Sequence, residues 1–369
     1  MQRFITILRG LALIALFPLT ASAEWQSAAS LSSSVESNAL RNYTSYSDIV
    51  TEGSLSVAHQ WNWPSWKGSL SYTLNAVSFA DFAEYNYHLH TFGATAEHQL
   101  VHDGWVRGGV QAKMRIDREI YNLLDYSEFE AFLEAKMPHE KPLTVFAGYT
   151  LRKRHYIMLD ELDNWEHLVY GRLNLPFSDG TTVNLLSEVA YKNYVMPIAS
   201  SSSSNGAGVG QWVTTARLSR PIAERLGLMV YVRSRINFGD DELFVSGLST
   251  NHVSENDLYD DRYSYESREY GAMLSRQLPH AVTLRAGYDY ADKRFGQPAL
   301  DLAGNALPDA NARTDKESRW WFKVEKRFTS AGNIPFNLYA KYQWMQNDSN
   351  DEYYQYRGSA VIAGVDVEF

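Results

Sequence analysis

The sequence predicts an all-β chain, a single closed antiparallel sheet of about 16 strands that crosses a membrane, and three observations predict it. The last segment alternates strictly: Val361, Ala363, Val365, Val367 and Phe369 share one face, and Ile362, Gly364, Asp366 and Glu368 share the other. A period of two lets one face of a strand meet lipid while the other meets water. The connections between such segments then alternate between short and long along the chain. Finally, beyond the N-terminal segment no window offers about 18 consecutive apolar residues, so helical spans are excluded and only strands can cross.

The N-terminal segment, residues 1–23, reads as a cleaved export leader. Arg3 and Arg9 form its basic front, Gly10 to Leu19 its apolar stretch, and Ala21-Ser22-Ala23 its small-residue cleavage site. The apolar stretch is shorter than the roughly 20 residues a spanning helix needs. Residues 24–369 are then expected to form the barrel. Tyr 24, Phe 16 and Trp 10 make the chain aromatic-rich while its mean hydropathy is only −0.35, the balance expected of apolar residues spread over many alternating strands. The chain has no cysteine, so a disulfide framework cannot supply its stability. Its formal net charge is −9, and losing Arg3 and Arg9 makes it more negative still, which argues against a nucleic-acid partner.

In chain order, alternation places strands near 25–37, 50–62, 66–79, 87–100, 105–116, 127–136, 143–156, 164–175, 182–193, 212–220, 227–237, 263–277, 282–292, 314–328, 336–346 and 356–369. Early in the chain, Leu55, Val57, Trp61 and Trp63 oppose Ser54, Ser56, Gln60 and Asn62; next, Trp66, Leu70, Tyr72 and Leu74 oppose Lys67, Ser69, Ser71, Thr73 and Asn75. Midway, Leu143, Val145, Ala147, Tyr149 and Leu151 oppose Thr144, Thr150, Arg152 and Arg154. Near the end, Phe336, Leu338, Ala340, Tyr342 and Trp344 oppose Asn337, Lys341 and Gln343. Turn residues fill the short connections, such as His102-Asp103-Gly104, Pro176 to Gly180, Pro221 to Arg225 and Leu278-Pro279-His280. Longer polar stretches lie at 194–211, 238–262 and 293–313. Trp61, Trp63, Trp66, Trp105 and Phe328 sit beside short turns, where an interfacial aromatic girdle belongs. A soluble sandwich would bury one face equally well but leaves the terminal Phe369 unexplained.

The closing segment resembles the last strand of Gram-negative outer-membrane β-barrels. The resemblance implies that Phe369 is an assembly signal, that the short turns and both termini are periplasmic, and that the chain meets outer-membrane lipid, lipopolysaccharide and the outer-membrane assembly machinery. In size the chain is similar to the general diffusion porins, which narrow their channel with a long third outer loop. Here that connection, 117–126, is too short to reach far into a wide lumen, and 238–262 is the better candidate constriction. Glu36-Ser37-Asn38, Ser47 to Thr51 and Asn347-Asp348-Ser349-Asn350 resemble segments of barrels that export exopolysaccharide or surface proteins. That resemblance implies a separate periplasmic export partner.

The water-facing positions carry a basic set: Arg107, Arg115, Arg152, Arg154, Arg172, Arg217, Arg233, Arg235, Arg285, Arg319 and Lys323, with Lys113, Lys192, Lys293 and Arg327 beside them. Acids such as Glu128, Glu130, Glu134, Glu166, Glu188, Asp289 and Glu325 share the face. Guanidinium groups lining a pore attract anions by their field and bind carboxylate or phosphate in pairs of hydrogen bonds. The expectation is a passive conduit for hydrophilic, preferentially anionic, solutes or polymers. An export component, and a closed structural or partner-binding barrel in which Arg and Glu pair across strands, are the alternatives.

Enzymatic signals are weak, and neither cofactor nor metal is expected. His88 and His90 share a strand face but have no Cys or acidic partner fixed by sequence, and no Gly-x-Ser-x-Gly elbow occurs. Residues 347–352 offer oxygen ligands without the glycine and spacing of a calcium loop, so a solvated turn is expected there.

Overall fold

The computed structural model describes residues 22–118, 122, 124–137, 142–195, 208–239, 262–307, 312–329 and 334–368. These form sixteen antiparallel strands, each paired with its chain neighbours, and β1 pairs with β16 to close the barrel. The strands are β1 (Ser22–Glu36), β2 (Asp48–Asn62), β3 (Trp66–Phe79), β4 (Tyr87–Gln99), β5 (Trp105–Asp117), β6 (Tyr126–Met137), β7 (Thr144–Tyr156) and β8 (Asn164–Pro176). They continue as β9 (Thr182–Tyr194), β10 (Gly208–Ala223), β11 (Leu226–Phe238), β12 (Tyr265–Leu278), β13 (Val282–Pro298), β14 (Ala312–Thr329), β15 (Pro335–Ser349) and β16 (Tyr356–Glu368). Closure leaves no edge strand, so the backbone groups of every strand can be satisfied within the sheet, as a lipid environment requires.

Most expected strands are present within a few residues. The largest departures are extensions. β10 runs on through Gly208 and Gly210 at one end and Pro221 at the other, where its pairing with β11 shifts register between Pro221 and Ala223. Proline lacks the ladder donor and is tolerated at such an irregularity near a strand end. β13 continues past Asp292 to Pro298, again with a shift in its pairing to β14. The turn at His102 and Asp103 places both residues in the left-handed region, φ 52° and 59°, the conformation that suits a two-residue hairpin turn.

The period of two sorts the side chains as the sequence implies. Leu133, Val169, Trp320 and Val361 are each more than half exposed and point away from the lumen. Such a continuous apolar outer surface would be unstable in water and is the surface that lipid covers. Trp25, His59 and Trp61 pack together at the periplasmic end, with ring centroids 4.4 and 4.6 Å apart, and Trp66 stacks near His98 at 4.5 Å. They form part of an interfacial girdle. Trp105 does not belong to it. It lies on the inner face, 5.1 Å beneath the Arg107 guanidinium and 6.1 Å from Phe146. Position 105 has the same parity as Arg107, Lys113 and Arg115, and in a strand that parity decides the face.

The motifs near the two ends of the chain lock the barrel's seam and rim. The Ser37 amide donates to the Ser359 carbonyl at 2.9 Å, and the Ser359 amide donates to Ser37 Oγ at 2.8 Å. Asn38 Nδ2 reaches the Asn42 carbonyl at 2.7 Å. The Asp48 carboxylate accepts the amides of Ala80, Asp81 and Phe82 at 3.0 to 3.1 Å.

Candidate functional site

All eleven predicted selectivity residues lie on the inner face, but the structure divides them into two groups. The first group is neutralised by carboxylates. On β5 to β8 the register sets Lys113 opposite Glu128 and Glu128 opposite Arg154, then Glu130 opposite Arg152 and Arg152 opposite Glu166. Glu128 consequently meets Lys113 at 3.0 Å, Arg152 at 3.3 Å and Arg154 at 2.8 Å. Arg152 also reaches Glu130 at 2.8 Å and Glu166 at 2.7 Å. Arg115 pairs with Asp117 at 2.8 Å, and Arg107 with Glu134 at 2.5 Å.

On the other side of the lumen, Glu269 takes both Arg233 at 3.0 Å and Arg235 at 2.8 Å. Glu317 takes Lys293 at 3.1 Å and Arg319 at 2.9 Å, while Glu325 takes Arg285 at 3.2 Å and Lys323 at 2.7 Å. A recess of about 350 Å³ opens between these pairs, lined by Arg233, Arg235, Glu269, Asp289, Lys293, Glu317 and Arg319. Cross-strand pairs of opposite charge are the sheet's ordinary stabilising unit.

Arg172 and Arg217 form the second group, and among the described residues neither has a carboxylate partner. Arg172 stacks over the Phe146 ring at 4.0 Å. Arg217 is exposed and lines a recess of about 580 Å³ near the periplasmic turns, together with Ser219, Met229, Met273 and Gln277. Lys341, absent from the predicted set, resembles them: its ammonium lies 5.8 Å from the Trp321 ring, and among the described residues it forms no ion pair with a carboxylate. It shares the inward parity of Asn337 and Gln343, and that parity was the signal that could have found it.

The two ends of the lumen also differ in filling. Towards the extracellular rim the inward side chains are buried: Gln211, Val213 and Thr215 on β10, Tyr126 and Glu128 on β6, Tyr265 and Ser267 on β12, and Phe295 on β13. Part of the filling is the segment just before β12. Tyr263, 2% exposed, packs with Ala190, Tyr194 and Val209, donates its hydroxyl to Glu166 at 2.7 Å, and receives Asn237 Nδ2 at its carbonyl at 2.9 Å. The connection expected to constrict the lumen, 238–262, lies outside the described residues over 240–261. Cations stack on this aromatic lining, with Arg115 4.2 Å over Tyr87, Arg154 4.4 Å over Tyr126 and Arg313 4.1 Å over Phe295. Towards the periplasm the inner face is more open, and the Arg107 side chain is 41% exposed.

The remaining candidates make other contacts among the described residues. His88 and His90 face outward, and His90 Nδ1 is 2.9 Å from the Tyr72 hydroxyl. In the segment 347–352 the polar groups brace loops: Asp351 accepts the amides of Leu300 and Tyr353 at 2.9 and 3.1 Å, and Ser349 donates to Asp315 at 2.6 Å. Burial holds the Asp351 carboxyl above its ordinary range. In the loop after β13, Asp301 accepts the amides of Asn305 at 2.8 Å and Ala303 at 2.9 Å. Those bonds hold its carboxyl below the ordinary range. No group of three or more His, Asp or Glu is placed to hold a metal ion among the described residues. Phe369, the expected assembly signal, also lies outside them.

No protein-family model matches the sequence, and no curated protein does. Solved structures match in fold. CdiB from Acinetobacter baumannii aligns with a TM-score of 0.52 and 9% identity over 94% of this chain and 60% of its own. OmpT of Vibrio cholerae aligns at 0.49 and 12% over 96% and 99%, and OprD from Pseudomonas aeruginosa at 0.47 and 8% over 94% and 95%. The fold is that of Gram-negative outer-membrane β-barrels, and its apolar outer band places the chain in the outer membrane.

Proposed function

We propose that the barrel is a passive conduit for small hydrophilic solutes that favours anions. The observation that carries this reading is the pair of lumen arginines without carboxylates, Arg172 and Arg217, joined by Lys341, in the more open periplasmic half. A cation whose charge is already answered contributes little field to a passing solute. An unanswered one on the wall of a narrow passage keeps its field for the solute.

Conductance and ion selectivity in planar bilayers test the proposal. The wild-type channel should pass current with anion preference, and Arg217→Gln and Lys341→Gln together should lower the anion-to-cation permeability ratio by about half or more. Cation preference, or a ratio that ignores both substitutions, overturns the anionic reading.

A closed barrel is the second reading, favoured by the buried inner side chains at the extracellular end, Gln211 at 0% exposure among them. It predicts no conductance even after shortening of 238–262. An export role would appear instead as passage or binding of an acidic polymer that small anions do not compete away.

A further inference from the structure

At the extracellular rim, three consecutive strands bring a serine, a histidine and a carboxylate together on the outer surface. Outward positions on β7 are apolar from Val145 through Ala147 and Tyr149 to Leu151, then turn polar with Lys153 and His155. On β6, Leu133, Ala131 and Phe129 give way in the same manner to Ser127. The register sets Ser127 directly opposite His155, and Phe129 opposite Lys153. Asp163 stands just before β8, on the other side of β7. Its Oδ1 accepts the Tyr156 amide at 2.7 Å, and its Oδ2 lies 2.5 Å from His155 Nδ1. The histidine on β7 therefore lies between a serine on one neighbouring strand and a carboxylate beside the other.

The backbone amide fixes the carboxylate, and the carboxylate in turn holds the imidazole with Nδ1 protonated, which leaves Nε2 as the free base. The two nitrogens of an imidazole point to opposite sides of the ring axis, so turning Nδ1 toward Asp163 turns Nε2 toward β6. Directly opposed residues of an antiparallel pair hold their Cβ atoms about 4.5–5.5 Å apart, which puts a serine hydroxyl within one rotamer change of Nε2. Both partners are accessible: Ser127 is exposed, and the His155 side chain is 53% exposed. Strand spacing along the chain could not have revealed this trio, because each member comes from a different element.

We propose that Ser127 and His155 are catalytic residues, with Asp163 as their positioning residue, for hydrolysis of ester-linked acyl chains of outer-leaflet lipids. Location selects the substrate. The site lies where the apolar band meets the polar rim, the depth at which the ester carbonyls of a lipid lie, and exposed Phe129, Trp165, Ile157 and Met158 flank it on the side an acyl chain would occupy. Ser127 Oγ attacks the ester carbonyl carbon while His155 Nε2 takes the hydroxyl proton. The bond from the carbonyl carbon to the lipid alcohol oxygen then breaks, the alcohol leaves with the proton from Nε2, and the acyl group stays on Ser127. Water attacks this acyl-enzyme with His155 again as base, which releases the fatty acid and restores the serine. Lys153, diagonal to Ser127 across the β6–β7 pair, brings positive charge within reach of the developing oxyanion. This activity belongs to the outer wall and does not depend on the conduit.

The test gives the folded, detergent-purified barrel phosphatidylethanolamine in mixed micelles and measures the fatty acid released, while a fluorophosphonate probe reports the nucleophile by mass spectrometry. The unaltered chain should release fatty acid and carry the label on Ser127. Ser127→Ala and His155→Gln should each lower the rate at least about 100-fold, the scale of a lost nucleophile or general base. Asp163→Asn favours the wrong tautomer and should lower kcat at least about tenfold with KM unchanged, and Asp163→Glu should recover part of it; a role in bracing the loop alone would not separate kcat from KM. Heat-modifiable mobility confirms that each variant is folded. Absence of both hydrolysis and label in the folded unaltered chain, or a rate that Ser127→Ala leaves unchanged, overturns the proposal. Bilayer currents of Ser127→Ala should equal those of the unaltered chain, so hydrolysis and the conduit stand or fall separately.

Discussion

Glu128, near the extracellular rim, faces three cations within 3.3 Å, whereas Arg217, near the periplasmic turns, faces no carboxylate among the described residues. Both side chains point into the same lumen from positions of inward parity, so their chemistry differs through their neighbours and not their orientation. At the rim, packed aromatic rings and the segment around Tyr263 exclude water, and a charge there must be paired to persist. At the periplasmic end water reaches the wall, and an unpaired cation is tolerated. The comparison teaches that a charge count along the inner face does not measure a pore's field. The filled half spends its charges on holding strands and loops together, while the open half, beside the Arg107–Glu134 and Arg285–Glu325 pairs, leaves Arg172 and Arg217 without a carboxylate among the described residues.

The most direct way to break this comparison is to remove the central carboxylate. Glu128→Gln leaves Lys113, Arg152 and Arg154 with one countercharge fewer, and breaking a buried pair from one side costs about 3–5 kcal/mol. Urea unfolding of the barrel in detergent should register that loss, whereas Arg217→Gln should move the midpoint very little. Equal destabilisation by the two substitutions would erase the distinction between the halves.

A smaller effect sharpens it. Tyr263→Phe keeps the ring among Ala190, Tyr194 and Val209 but deletes the hydroxyl bond to Glu166, a loss of about 1.5–3 kcal/mol for a hydrogen bond to a charged group. If the Tyr263 segment narrows the mouth, single-channel conductance should rise as well. A stability loss with unchanged conductance would leave the segment as packing alone.

The smallest expected effect lies outside the lumen. The Asp301 carboxyl is held below its ordinary range chiefly by the Asn305 amide, so its contribution is present above the usual carboxylate value near about 3.9 and is lost as pH falls through the lower folded value. Hydrogen-exchange protection of the Ala303 and Asn305 amides, corrected for intrinsic rates, should decline across that acid window and become insensitive to pH in Asp301→Asn. Protection that stays flat with pH in the unaltered chain would show that the loop does not depend on this charge.

Strand positions were legible because lipid imposes alternation on every outward residue, from Leu55 to Val361. The same rule identified the inward arginines. Partners were harder to read: Tyr263 and Glu166 meet because a segment folds back into the barrel, and no local period encodes that approach. The phase error at Trp105 has a different origin. Proximity to a turn suggested a girdle, while its parity with Arg107 already placed it inside. Gly208 and Gly210 fall in the expected connection 194–211 and Pro221 in an expected turn, yet the ladder to β9 carries both glycines and the ladder to β11 carries Pro221 up to a register shift. Eight of the ten arginines named as selectivity determinants, all but Arg172 and Arg217, are ion-paired, which moves the informative substitutions to Arg172, Arg217 and Lys341.

The seam between β1 and β16 runs from Ala28 opposite Glu368 to Glu36 opposite Ala360, and it joins the first strand of the chain to the last. Every other ladder closes a hairpin between chain neighbours, at small loss of chain entropy. The seam alone encloses almost the whole polypeptide, so its closure is the least local event in folding and is favoured only after the hairpins have shortened the effective loop. Until then β1 and β16 are both unpaired edges, open to pairing with another chain. The bonds from Ser37 to Ser359 lie at the far end of that seam, where they oppose its reopening after the barrel has closed.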